Sequence, residues 1–138
     1  MNILCHCEVC RKVSGADYSH ACWFNVDDFK IISGEDNLSS YSTSDRFKRF
    51  SCSICHAKVF GRMHPNKFFN NGSIAVPPSL YDVEFSRDFR EQKHEAHAFY
   101  PRRIVDFPND TTIKYRDMPK KFNGSGVVIQ NEELRSKL

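Results

Sequence analysis

The sequence predicts an all-β domain of short strands with little helix. Aromatic residues are abundant, 12 Phe and 5 Tyr against 3 Met, a bias that favours strand surfaces over helical bundles. Short apolar stretches recur at a spacing of roughly 8–12 residues with turn residues between them, as in sandwiches and open barrels. The 138 residues suffice for one domain with a real core.

The chain opens on Cys5-His6-Cys7-Glu8-Val9-Cys10, a cysteine knot. Val9 to Gly15 has room for one helical turn, ended at Ser14-Gly15 because glycine enters the left-handed conformation easily. His20 to Val26 reads as a strand with Cys22, Phe24 and Val26 on one face, which makes Cys22 a core thiol and His20 a polar strand residue. Phe29 to Ser33 reads as a second strand, Leu38 to Ser42 as a third. Phe47 to Ser51 runs into Cys52-Ser53-Ile54-Cys55, and Lys58 to Gly61 returns from it. Two strands joined at a C-x-x-C turn have the shape of a zinc knuckle. Gly72 to Val76 is a strand stopped by Pro77-Pro78. Residues 79–95 read as a charged connection with one helical turn, Glu95 to Tyr100 as a strand, and Ile104 to Phe107 as the last patterned stretch.

Five of the six cysteines fall in two tight clusters. Thiolates this close repel one another unless a cation lies between them, and zinc is the usual one. Cys5, Cys7 and Cys10 would supply three ligands from one loop and leave a tetrahedral position open. Disulfide or redox chemistry, and plain packing, are the competing readings of the same thiols.

A formal charge of +3 is too mild to imply nucleic acid or an anionic membrane as partner. No apolar run approaches the ~20 residues of a membrane helix, and Met1-Asn2-Ile3-Leu4 leads into the cysteines without a secretory pattern. The expectation is a reducing, cytoplasmic setting, with the nucleus also admissible, where clustered cysteines serve metals or redox chemistry.

The run from Cys5 to Ala16 matches, position by position, the pattern C-H-C-x-x-C-R-x-x-S-G-A. Tyr41-Ser42 through Arg49-Phe50-Ser51-Cys52-Ser53-Ile54-Cys55 follows Y-x-S…R-x-F-C-x-x-C, and Asn71-Gly72-Ser73-Ile74 and His97-Ala98-Phe99-Tyr100 are weaker echoes. In these motifs the chain resembles the glutathione-dependent formaldehyde-activating enzyme family, which also includes centromere protein V. The resemblance covers roughly residues 3–125. It implies a zinc-held tent of short antiparallel sheets. A catalytic zinc would sit on Cys5, Cys7 and Cys10, and a structural zinc would take Cys52 and Cys55 as half of its ligands. The family's other half, an upstream C-x-C on a first strand, has no counterpart in this sequence. Residues 1–125 are then the zinc domain, its N-terminal strand missing, and residues 126–138 a polar tail.

The implied activity is that of a zinc-dependent carbon–sulfur lyase acting on glutathione adducts of small aldehydes. Arg11, Lys12 and Arg49 are the cations that would offset the charge of three thiolates or meet the carboxylates of glutathione. Ser14, Gly15 and Ala16 would shape the pocket wall, and His6, between two ligands, would point away from the metal. A non-catalytic, zinc-stabilised protein-binding module is the alternative that centromere protein V-like members suggest. A zinc-fold chaperone of small GTPases is a third, which would rely on the incomplete four-cysteine site.

Overall fold

The computed structural model describes residues 1–82 and 94–130. In chain order its regular elements are β1 (Asn2–Cys5), α1 (Glu8–Ser14), β2 (Ser19–Asn25), β3 (Leu38–Ser44), β4 (Phe47–Cys52), β5 (Lys58–Met63), β6 (Ser73–Val76), β7 (Ala96–Ala98) and β8 (Ile113–Lys114), with short 3-10 turns between them. The protein is mostly β, and α1 is the one α-helix among the described residues. These residues divide into two compact units: residue 1 with residues 21–82, and residues 2–20 with residues 94–130.

The first unit is an antiparallel ladder in the order β3, β4, β5, β6, β2. Both faces of the ladder contribute to its core: Cys22, Phe60 and Ile74 lie on one face and Met63 and Ala75 on the other, all buried. Phe60 stacks on Phe50 with centroids 4.4 Å apart and meets Phe29 at 5.0 Å. Opposite β4, Gly61 leaves room for the Phe47 ring. A Cβ at Gly61 would lie 2.1 Å from the ring's Cζ.

Phe29 to Ser33, expected as a strand, is irregular. Phe29 and Ile31 are half-buried and Ile32 is 92% exposed, so the local alternation has no fully buried face to serve. The connection expected over residues 79–95 begins with a 3-10 turn at Pro78–Leu80, and residues 83–93 lie outside the described residues.

The second unit holds β1, β7 and β8, and here the pairing is parallel rather than antiparallel. Ile3, Leu4 and Cys5 pair with Ala96, His97 and Ala98, and Ala96 and His97 pair with Ile113 and Lys114. Parallel neighbours need long crossover connections, and the chain supplies them between residues 5 and 96 and between residues 98 and 113. Parallel strands also bury both faces and read as continuous rather than alternating runs. Asn2, Ile3 and Leu4 are all buried, as are Ala96, His97 and Ala98. Strand β1 therefore gave no alternating signal. Residues 126–130 pack beside β8: Ile129 N–H donates to the Lys114 carbonyl at 2.8 Å, and Arg116 N–H to that of Val127 at 2.9 Å. Asn131 to Leu138 lie outside the described residues. Ile104 to Phe107 form a loop, with Ile104 60% exposed.

Candidate metal centre

Strand β1 ends on Cys5, Cys7 caps α1, and the first turn of α1 carries Cys10. Buried Ile3 and Leu4 anchor the strand against β7, which fixes Cys5 at its end. Cys7 is the N-cap of α1. Its sulfur accepts the Cys10 N–H at 3.3 Å, as an N-cap oxygen would satisfy an orphan donor of the first turn. The capped turn brings Cys10 back over Cys7. Gly15, at φ 58°, ends the helix, its N–H reaching the carbonyls of Arg11 and Lys12, a left-handed cap that glycine adopts without strain.

The Sγ atoms of Cys5, Cys7 and Cys10 all lie within 4.8 Å of one another. Thiolates around one tetrahedral zinc stand about 3.8 Å apart for bonds of about 2.3 Å, so the three residues fit that ion. Cys5 is raised well above an ordinary thiol by hydrogen bonds to Cys10 and Cys7, then by burial and by the charges of the same neighbours. Among the described residues the cysteines form no disulfide.

Cys52 and Cys55 lie in the other unit, at the turn between β4 and β5. The Cys52 sulfur accepts the Ile54 N–H at 3.4 Å. Backbone N–H groups of Cys55 and Ile54, then the Cys55 thiol, hold Cys52 below the ordinary thiol value. The knuckle expected from C-x-x-C is present as backbone geometry. Cys22 is a core thiol, 3% exposed.

The expected cations are differently engaged. Lys12 is largely exposed and pairs with Glu8 at 2.6 Å, while Arg49 stands in the other unit with its guanidinium 4.8 Å from the Phe47 ring centroid. Arg11 is half-buried, and its Nε is a buried donor with no hydrogen-bond partner.

His6 points away from the cysteines' side of the chain, into a nest of rings formed by Tyr18, His97, Tyr100 and Phe107. It is fully buried, and its Nε2 lies 2.8 Å from Nδ1 of the equally buried His97. Burial, then the charges of His97 and Arg103, push His6 down to about 4. His97 Nε2 lies 2.5 Å from Asp110 Oδ2, which also stands 2.6 Å from His94 Nε2. Burial pushes the Asp110 carboxyl up, but hydrogen bonds from the Thr112 backbone, His97 and His94 outweigh it and hold the group well below the carboxylate range.

The sequence reading missed this cluster. His97 figured as a strand residue and in a weak family echo, His94 as part of a charged connection, and Asp110 in an unpatterned loop. The H-x-x-H step from His94 to His97 is the one local signal.

The profile described as glutathione-dependent formaldehyde-activating enzyme matches residues 1–100. The chain belongs to the glutathione-dependent formaldehyde-activating enzyme family. Membership in this family carries glutathione-dependent formaldehyde activation as its general chemistry, with glutathione and small aldehydes as the substrate class. A similar fold occurs in a crystal structure of a Rhodobacter sphaeroides protein, 19% identical, covering 64% of this chain and 74% of that one at a TM-score of 0.50. No curated protein matches the chain. The family match takes in Cys5, Cys7, Cys10, Cys52 and Cys55, as well as His94 and His97, and stops short of Asp110. No described helix is long and apolar enough to cross a membrane.

Proposed function

We propose that this family member is a zinc-dependent carbon–sulfur lyase that makes and breaks S-hydroxymethylglutathione from glutathione and formaldehyde. The observation that carries the reading is the convergence of Cys5, Cys7 and Cys10 on one point inside the family-matched segment. A zinc held there would supply an open coordination position and Lewis acidity. Cys5, Cys7 and Cys10 hold it from a preformed turn, with Cys7 fixed by the Cys10 N–H. Arg11 sits in the last turn of α1. A guanidinium with an unmatched buried donor suits a carboxylate of the tripeptide. Lys12, occupied by Glu8, contributes general positive charge.

In the synthetic direction the glutathione sulfur adds to the carbonyl carbon, one C–S bond forms, and the thiol proton ends on the former carbonyl oxygen. Breakdown is the reverse. Cys52 and Cys55 serve as a knuckle for a second, weaker metal contact. In this reading the protein works in the cytoplasm, where glutathione is abundant and thiols stay reduced, on a small-molecule substrate, without nucleic acid or membrane as partner.

The test is magnetisation-exchange NMR on the formaldehyde–glutathione equilibrium at neutral pH. Wild type should accelerate exchange between free and adduct carbon, and Cys7→Ser should restore the uncatalysed rate. Equal rates with wild type, variant and buffer would sink the enzyme reading and leave the binding module.

A further inference from the structure

We propose that His94, His97 and Asp110 form a second metal centre, taking a divalent first-row transition ion through two imidazole nitrogens and one carboxylate oxygen. It is independent of the cysteine centre in ligands and in donor type.

The three donor atoms, His94 Nε2, His97 Nε2 and Asp110 Oδ2, make a triangle with sides of 2.5, 2.6 and 3.1 Å. An ion about 2.1 Å from each, an ordinary bond length for these donors, sits about 1.3 Å out of their plane. All three ligands then occupy one face, and the opposite side is left for water or substrate. Two imidazoles with one carboxylate suit zinc or iron(II).

The groups behind the donors are arranged as metal sites require. A ligating histidine donates its other N–H to a fixed acceptor, which sets its tautomer. His97 has such a partner in His6, 2.8 Å from Nδ1. In the metal-free protein His97 Nε2–H can donate to Asp110; with the proton moved to Nδ1 and given to His6, Nε2 is free to meet a cation beside the ionised carboxylate. The carboxylate is held as well. Asp110 Oδ1 accepts the Thr112 N–H at 2.8 Å, leaving Oδ2 to the imidazoles. Lys114 Nζ ties down the loop by donating to the carbonyls of Asp110, at 2.5 Å, and Thr112, at 3.3 Å.

The ammonium of Lys114 weakens attraction for a cation, and its two carbonyl partners offset part of that effect. The His97 side chain is fully buried, the Asp110 side chain 13% exposed and that of His94 25%. The site therefore opens on the His94 side. Asp110 also lines a cavity of 940 Å³ with Arg103, Asp106 and Lys114, large enough for a small ligand.

The experiment is a cobalt(II) titration of the full chain after chelator treatment under reducing conditions, read by metal analysis and by thiolate-to-cobalt charge-transfer absorption. Wild type should take two ions tightly, one silent and one with charge transfer, apart from the weaker thiolate contact at Cys52 and Cys55, which Cys52→Ser removes. His94→Ala and the isosteric Asp110→Asn should each weaken the silent ion at least about tenfold and leave the charge-transfer ion in place. Cys7→Ser should do the reverse. Failure of the cysteine centre alone would leave wild type with one silent ion, lost in His94→Ala, and would support the proposal. A wild-type chain that binds only charge-transfer cobalt, or a silent ion indifferent to both His94→Ala and Asp110→Asn, would overturn it. His94, on the open side, is the substitution least disturbing to the fold.

Discussion

His6 and His97 are 91 residues apart in sequence, yet their rings stack at 5.1 Å and share one proton across 2.8 Å, both fully buried. His6 stands between Cys5 and Cys7, and His97 belongs to the imidazole–carboxylate cluster. Two side chains thus join the two candidate centres. Because parallel pairing sets Leu4 beside His97 and Cys5 beside Ala98, this contact follows from the strand register. A one-residue slip of β1 would turn its side chains to the opposite faces.

Thiol accessibility should report the cysteine centre directly. In metal-loaded wild type, Cys5, Cys7 and Cys10 should resist a thiol reagent. In a Cys52→Ser, Cys55→Ser background, chelation should add three reactive thiols, and Cys7→Ser should expose the remaining pair without chelator. Cys22, buried in the first unit, should react only on denaturation. The measurement is reagent-release stoichiometry; an unchanged count on chelation would contradict a metal at these thiols.

Arg11→Gln should raise KM for glutathione about tenfold, the loss of one charge-assisted hydrogen bond, with kcat changed less. Lys12→Gln should have little effect, because exposed ion pairs such as that with Glu8 are worth little. Steady-state kinetics of the two variants checks this, and equal KM values would remove Arg11 from substrate binding.

Tyr81 gives an alkaline signature. Its hydroxyl is raised above the phenol range by burial, then by its hydrogen bond to the Cys22 thiol and that group's charge. The folded state holds the proton longer than the unfolded chain does. Stability is therefore fully present below pH of about 10 and falls as pH rises past it, by about 1 kcal/mol near pH 11. Tyr81→Phe should remove this component. Urea unfolding of both proteins on either side of that pH, compared as a difference, separates Tyr81 from the other titrating thiols and phenols.

Gly61→Ala should destabilise the first unit by about 1–3 kcal/mol, the usual cost of overpacking. The new methyl would meet the Phe47 ring, which in turn carries Arg49. Thermal unfolding checks it, and the combination with Phe47→Leu should recover part of the loss if the ring is the obstacle.

The antiparallel half of the fold was legible because its strands are rich in aromatic residues and bounded by turn signals. The C-x-x-C turn marks the hairpin between β4 and β5. The clustering of Cys5, Cys7 and Cys10 was legible because the three lie within six consecutive residues. The parallel half was not. Ile3, Leu4, Ala96 and Ala98 are buried on both faces and carry no period, and β8 has only two residues. The His94–His97–Asp110 cluster depends on that half. Its members converge only when β7 and the loop before β8 are folded, so local spacing could announce no more than H-x-x-H.

The pairing of β1 with β7 also bears on how the protein is made. A ribosome releases Cys5, Cys7 and Cys10 first, and β7, on which β1 docks, about 90 residues later, at roughly 5–20 residues per second. For several seconds the nascent chain presents three adjacent thiols without the strand that holds them. Contacts so distant in sequence also form slowly. On the proposed reading, the newborn cysteines are open to the cell's metal pool and to its oxidants alike, and which reaches them first would decide whether the finished chain is loaded or damaged.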